Sequence, residues 1–355
     1  MDFKSLIAEY QHKVLINCMT YNHSAYIEDA LNGFVMQQTN FRFVCLVMDD
    51  ASTDGEQDVI MAFLSKECDM TAAKNYRIDE AEVIVTPHKI NKNCTLSVYF
   101  LKKNLYGTGK KTPLIGEWSN QAKYIALCEG DDYWRDPLKL QKQVDFLERN
   151  EEYSLCCSDV VVKSMNGDLD WSRYSESCKV PIADIITGGG LWLQTVSYVY
   201  RNNLDVFKNY PDCCKRCHVG DYPLIIWLAL HGGVYYIAEK TAVYRFQCEG
   251  SWTSKQKNVP LEKQIVGWRS EIDMLLGLDK WSQGKYSEAF SERIAKYLYN
   301  NIILPNKDDS NKIMREFHDV KHLLSKKQRI HIFFLNIHQE KTLHRLVTLK
   351  RRIKK

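Results

Sequence analysis

The chain has 355 residues, room for one large domain and a smaller one. At 45% hydrophobic and 26% charged residues it is too apolar for a disordered chain, and its longest apolar run, Pro223 to Leu230, is far short of the ~20 residues of a membrane span. The net charge of +4 hides an asymmetry: residues 321–355 carry eleven Lys/Arg against the single acid Glu340, so the other 320 residues hold 37 basic and 43 acidic side chains, a mildly acidic body that argues against nucleic acid as a partner.

The N-terminal residues include an early acid and no apolar h-region, so no secretory signal is expected. Twelve scattered cysteines in such a chain read as reduced thiols, and a cytoplasmic location is expected. Val14 to Cys18 is a buried-strand candidate, followed by a helix with Tyr26, Ile27, Ala30, Leu31 and Phe34 at helical spacing. Phe43 to Met48 is a second strand, Glu56 to Ser65 a second helix, Glu82 to Thr86 a third strand and Tyr124 to Cys128 a fourth. Apolar strands alternating with helices predict an α/β fold, a mostly parallel sheet covered on both faces.

Past residue 150, Leu155 to Val162 and Trp192 to Tyr200 read as strands, with Gly188-Gly189-Gly190 a flexible break between them. Pro223 to Leu230 reads as a buried helix and Val234 to Ile237 as a strand. From about Leu261 the chain reads as helical with only Pro305 interrupting. The expected division is an α/β domain over 1–250 and a helical C-terminal extension with a basic tail over 251–355.

Ligands of an open α/β sheet bind at the carboxyl ends of its strands. Met19-Thr20-Tyr21-Asn22-His23 follows the first strand, Asp49-Asp50-Ala51-Ser52-Thr53-Asp54-Gly55 the second, and Glu129-Gly130-Asp131-Asp132-Tyr133-Trp134 the fourth. Adjacent aspartates repel each other unless a divalent cation sits between them, and hard oxygen donors suit Mg²⁺ or Mn²⁺. For Ser52 and Asp54 a turn or helix cap is an equal reading. Asp136-Pro137 already supplies a cap and first-turn proline for the helix from Leu138 to Asn150, which leaves Asp131 and Asp132 without a local task.

These strings, with Asp136 to Gln141 and Gly220-Asp221-Tyr222-Pro223-Leu224, resemble a family 2 nucleotide-sugar glycosyltransferase of the GT-A fold, bacterial envelope polysaccharide type, over roughly residues 12–253. The resemblance implies that Thr20, Tyr21 and Asn22 line the nucleotide pocket, with Tyr21 stacked on the base. Asp50 would accept the N–H of a uracil or thymine ring. Asp131 and Asp132 would form the Asp-x-Asp-type element, with Asp132 the direct ligand of Mn²⁺ or Mg²⁺. Asp221 would be the base of an inverting transfer from a UDP-sugar to a hydroxyl of a saccharide or lipid-linked acceptor. From position alone, Asp221 is equally an N-cap, since it stands before a buried helix with Pro223 two residues on.

The frame Tyr244-Arg245-Phe246-Gln247 carries Gln247 where many relatives have a metal-binding histidine, so the metal is expected to rest mainly on Asp132 and the diphosphate. Gly107 to Thr112 fails the Walker pattern, which needs Gly at Asn104 and Ser or Thr at Lys111. Cys213-Cys214-Lys215-Arg216-Cys217-His218 lacks a second Cys pair at finger spacing and reads as a plain loop rather than a zinc site. The tail alternates Ile330, Phe333, Phe334, Ile337, Leu343, Leu346 and Val347 with Lys and Arg, which fits a peripheral contact with an anionic membrane; a packed helix with a solvated basic face is the alternative. Two rival functions stay open: a nucleotidyltransferase acting on a sugar phosphate, and a degenerate nucleotide-sugar binding protein.

Overall fold

The computed structural model describes residues 3–247 and 259–336. Their chain forms two compact units, one drawn from residues 3–181, 190–209 and 228–247 and the other from 182–189, 210–227 and 259–336. Two segments from within the first 250 residues thus belong with the C-terminal helices.

The first unit is built on a sheet that has 12 strands among the described residues. They are β1 (Val14–Thr20), β2 (Phe43–Asp49), β3 (Lys74–Arg77), β4 (Ala81–Pro87), β5 (Cys94–Leu101), β6 (Tyr124–Leu127), β7 (Tyr133–Trp134), β8 (Tyr153–Ser164), β9 (Gly167–Leu169), β10 (Cys178–Val180), β11 (Val199–Arg201) and β12 (Gly233–Arg245). Their order is β10-β12-β8-β11-β6-β1-β2-β5-β4-β3, with β7 on β12 and β9 on β8. The centre, β6-β1-β2-β5, is parallel. All seven residues of β2 are buried, as expected of a strand covered on both faces.

Five helices, α1 (Phe3–Glu9), α2 (Ile27–Val35), α3 (Glu56–Glu67), α4 (Lys111–Ser119) and α5 (Lys139–Arg149), precede β8. Ile27, Ala30, Leu31 and Phe34 of α2 enter the core together with Ile60, Phe63 and Leu64 of α3 and Leu140, Val144 and Leu147 of α5. Gly33 is required here, because a Cβ would stand 2.9 Å from the main-chain nitrogen of Trp134.

The sheet departs from the expected pattern in four places. Glu82 to Thr86 lies in β4, which runs antiparallel to both neighbours. The parallel place beside β2 is taken by β5, whose Thr95 and Ser97 break its apolar run and conceal it in the sequence. Strands β11, β10 and β7 are antiparallel to their partners, so the parallel character is confined to the centre and to the β8–β12 pair. Of the strand expected over Trp192 to Tyr200, only β11 extends, after a 3-10 turn at Thr195–Ser197. Side chains take the carbonyls a ladder would need: Trp134 Nε1 donates to Val196 O, and Gln143 Nε2 to Ser197 O, each at 2.8 Å.

The second unit contains α6 (Ile182–Gly188) and, after α7 (Leu204–Lys208) of the sheet unit, α8 (Asp212–Lys215) and the first turns of α9 (Asp221–His231). It continues with α10 (Leu261–Trp281), α11 (Ser287–Lys296), a π-helical turn (Tyr297–Ile303), α12 (Ser310–Glu316) and α13 (Lys326–Asn336). Its core includes Ile272, Leu275, Phe290, Ile294, Leu298, Ile313 and Phe317. Pro305 is not its only break. Gln283 and Gly284 adopt positive φ after α10, and Gly284 N–H closes the helix end onto Asp279 O at 3.1 Å. On α13, Ile332 and Leu335 are buried while Ile330 and Phe333 are 44% and 60% exposed. No helix among the described residues is long and apolar enough to cross a membrane.

Candidate active site

The loops after β1 and β2 are sewn together by side chains. Asn22, at φ 59°, donates its N–H to Ser52 Oγ at 2.8 Å and accepts Thr53 N–H on its Oδ1 at 2.8 Å. Ser24 N–H reaches Asp54 Oδ2 at 2.9 Å. Glu56, fully buried at the start of α3, receives the Thr20 hydroxyl on one oxygen and His23 N–H and Ser52 Oγ–H on the other, the last two at 2.8 Å. Burial raises the Glu56 carboxyl above its ordinary range, and these donors oppose the rise. Sequence reading missed Glu56; a glutamate four residues after Ser52, opening the helix behind the loop, was the available signal.

The loop after β6 is pressed onto the same place. A Cβ on Gly130 would fall 2.1 Å from Thr20 Oγ1, so only glycine fits. His23 Nε2 stands 3.8 Å from Asp131 Oδ2, and its Nδ1 is 3.2 Å from Thr20 Oγ1. Three strand ends therefore converge through Thr20, His23 and Gly130.

Asp132 is buried, and its proton affinity lies well above the ordinary carboxylate range, first through burial and then through neighbouring Asp131. Its Oδ1 accepts the main-chain N–H of Arg245 at 2.7 Å. Arg245 Nη1 donates to Asp131 O at 2.7 Å and Nη2 pairs with Asp29. The guanidinium carbon stands 4.9 Å from the Tyr26 ring and 4.7 Å from the Tyr133 ring. Arg245 had no role in the sequence reading beyond its place in a frame.

Two adjacent carboxylates, one buried and pushed up by the other, form a hard-oxygen donor set that a divalent cation would relieve. Among the described residues no three His, Cys, Asp or Glu side chains form a metal-holding group, so the pair would need further oxygens from a ligand or water. Gln247, at φ 55°, is the last described residue before 259.

Asp50 is 3% exposed. Its Oδ1 accepts Leu105 N–H at 2.6 Å and its Oδ2 the Lys111 ammonium at 2.9 Å, leaving a second lone pair on each oxygen. Thr20 is equally buried at 3% and its hydroxyl is engaged by Glu56, whereas Tyr21 and Asn22 are half-buried. Thr20 and Asp50 thus set the walls of the region, and Tyr21 and Asn22 keep some surface open.

Asp221, in the helical unit, is the first residue of α9, and its Oδ1 accepts Tyr222 N–H at 2.8 Å. Burial raises its carboxyl above the ordinary range; the Tyr222 N–H opposes this and the Glu271 charge adds to it. His218 is shifted down by burial.

A family model described as Glycosyl transferase family 2 matches residues 18–221, and the chain belongs to that family. It is 29% identical over 236 residues to an uncharacterised protein of Mycobacterium tuberculosis, a match that covers 66% of this chain and 59% of the relative's own length. A teichuronic acid biosynthesis glycosyltransferase of Bacillus subtilis, TuaG, is 26% identical over 145 residues, 40% of this chain and 46% of that protein. Among solved structures, Staphylococcus aureus TarS 1–349 in complex with UDP-GlcNAc aligns with TM-score 0.58 and 16% identity, over 93% of this chain and 88% of that one. The same protein with UDP gives 0.55 and 15%, over 97% and 92%. At these identities the likeness shows the fold: the GT-A arrangement of a central sheet flanked by helices, with C-terminal helices added.

Proposed function

We propose that the protein is a metal-dependent, inverting glycosyltransferase of hexosyltransferase type that takes a UDP-sugar as donor. The observation that carries this reading is the convergence of the β1, β2 and β6 loops, which brings Tyr21, Asn22 and the Asp131–Asp132 pair to one edge of a parallel sheet in a chain of this family. That edge is where such sheets bind nucleotides. TarS, a structural neighbour, is known in complex with UDP and UDP-GlcNAc, which favours uridine as the first nucleotide to test.

In this reading Tyr21 stacks on the base, Asp50 accepts a ring N–H, and Thr20 and Asn22 hold the loop that receives the nucleotide. Asp132, with Asp131 beside it, would hold Mn²⁺ or Mg²⁺. When bound, such a cation neutralises charge on the departing diphosphate. Asp221 takes the proton from an acceptor hydroxyl of a saccharide or lipid-linked glycan. That oxygen forms a bond to the anomeric carbon from the face opposite the diphosphate, the bond to the diphosphate breaks, and UDP departs with the electron pair. A carboxyl raised by burial is suited to this work, because a base with higher proton affinity transfers more readily.

The retained Asp131, Asp132 and Asp221 favour a transferase over a degenerate binding protein. A nucleotidyltransferase would need a basic glycine-rich loop near the N-terminus, and no such string occurs there. The proposed place of work is the cytoplasmic face of a membrane. Exposed Ile330 and Phe333 share α13 with Lys326, Lys327 and Arg329, and the basic residues of 341–355, outside the described residues, extend that charge.

Calorimetry of UDP with and without Mn²⁺, on the wild type and Asp132→Ala, tests the donor and metal reading. The expected result is Mn²⁺-dependent binding that the substitution abolishes. Equal affinity in both proteins would remove Asp132 from the metal site.

A further inference from the structure

Resting on Asp221 as the base, we propose that Glu271 and Arg293 are positioning residues for it, holding the turn from Cys217 to Tyr222 from within the helical unit. The start of that turn is tied to α10. His218 N–H donates to Ser270 Oγ at 3.0 Å, its ring Nδ1 lies 3.1 Å from the same oxygen, and Ser270 Oγ–H is anchored on Gly267 O at 2.7 Å.

The end of the turn is held by Arg293 of α11. Its Nη2 donates to Glu271 Oε1 at 2.9 Å, and the two side chains are only 12% and 7% exposed. Its guanidinium carbon stands 5.3 Å from the Tyr222 ring and 4.9 Å from the Tyr297 ring. Tyr222 is fixed at both ends: its hydroxyl donates to Ile186 O of α6 at 2.5 Å and its N–H donates to Asp221 Oδ1. Gly189, at φ 80°, closes the arrangement, since a Cβ there would lie 2.7 Å from the guanidinium carbon.

A buried ion pair is an expensive way to hold helices together; apolar side chains of the same volume do it as well or better. Arg293 Nε, moreover, donates to no acceptor among the described residues. What the pair adds is charge and orientation at one place, against the ring of Tyr222, the residue whose main-chain N–H bonds the Asp221 carboxylate. Within the helical unit the titratable and charged groups gathered there are Cys217 and His218 on the turn, Tyr222 on α9, Glu271 on α10, and Arg293 and Tyr297 beyond it. Glu271 acts on Asp221 as a like charge and is itself paired with Arg293.

The test is a carbon-13 NMR titration of the full chain labelled at aspartate carboxyls, with the Asp221 resonance assigned by its loss in Asp221→Asn. Glu271→Gln keeps the side-chain shape and one acceptor for Arg293, and the Asp221 midpoint is expected to fall by several tenths of a pH unit. Arg293→Met removes the charge paired with Glu271, and the midpoint is expected to rise. A midpoint unmoved in Glu271→Gln, or moving the same way in both variants, overturns the proposal. If Arg293→Met does not fold, Glu271→Gln decides alone. The titration involves no donor or acceptor, so it can fail while Asp221 remains the base, and the base reading can fail in turnover assays while the titration succeeds.

Discussion

The main-chain N–H of Arg245 donates to Asp132 Oδ1 at 2.7 Å while its Nη1 donates to the carbonyl of Asp131, so one residue at the end of β12 grips both aspartates. The main-chain bond is independent of the side chain. The guanidinium, held between Tyr26 and Tyr133 and paired with Asp29, fixes the loop that presents the carboxylates.

Replacing Arg245 by Met should therefore weaken Mn²⁺ binding in the presence of UDP by about 10- to 100-fold, the usual cost of losing a group that orients a ligand. Lys should not rescue it, since an ammonium cannot bridge two oxygens in a fork. Titrating Mn²⁺ by paramagnetic resonance checks this; unchanged affinity in Arg245→Met would show that the carboxylates need no such support.

Gly130→Ala is expected to be severe for its size. The new methyl would fall 2.1 Å from Thr20 Oγ1 and 2.6 Å from Thr20 Cβ, so the β6 loop must move away from β1. A loss of about 1–3 kcal/mol in urea unfolding is expected, as for overpacking, together with weaker UDP binding. Wild-type stability would mean that the loops do not press together.

Lys139 offers a pH test of the core. Burial brings its ammonium down to about 7, and its Nζ bonds Gln143 Oε1 at 2.7 Å and lies 4.4 Å from the Trp134 ring centre. A base whose folded value is lowered contributes full stability above its unfolded value and loses it as pH falls through the folded one. Wild-type stability should thus drop between pH 8.5 and 6, with roughly 2 kcal/mol of the drop due to this group. In Lys139→Met that part of the slope should vanish. Urea curves at the two pH values measure it, and identical slopes would place the charge elsewhere.

Deleting residues 341–355 removes seven Lys/Arg and should release the protein from anionic vesicles without removing UDP binding. At about 1 kcal/mol per basic residue near an anionic surface, the loss is readily seen in co-sedimentation at low salt. Equal pelleting of both proteins would leave the tail a purely structural role.

The centre of the fold was legible because β1, β2 and β6 are apolar runs that end in polar or acidic strings, and chain order alone brings such ends to one edge. Strand β5 was not, since Thr95 and Ser97 resemble loop residues until they are paired beside β2. Asp131 and Asp132 could be singled out by the lack of a local task. Arg245 could not, since its partners lie more than 100 residues away, and Glu56 only in part: its place four residues after Ser52 was a local signal, but Thr20 on the neighbouring loop lies 36 residues away. The same holds for 182–189 and 210–227, which join the C-terminal helices through contacts such as Tyr222 with Ile186 and Arg293.

The most direct measurement is turnover of Asp221→Asn with the nucleotide-sugar that most raises the melting temperature in the presence of Mn²⁺. Asn caps a helix about as well as Asp, so stability should change little, and donor affinity should hold because Asp50, Asp131 and Asp132 are intact. Turnover should fall by about 10²- to 10⁴-fold, the contribution of a positioned general base. An Asn variant that transfers sugar at the wild-type rate would contradict the account, leave Asp221 as a helix cap, and turn the search for the base to His218.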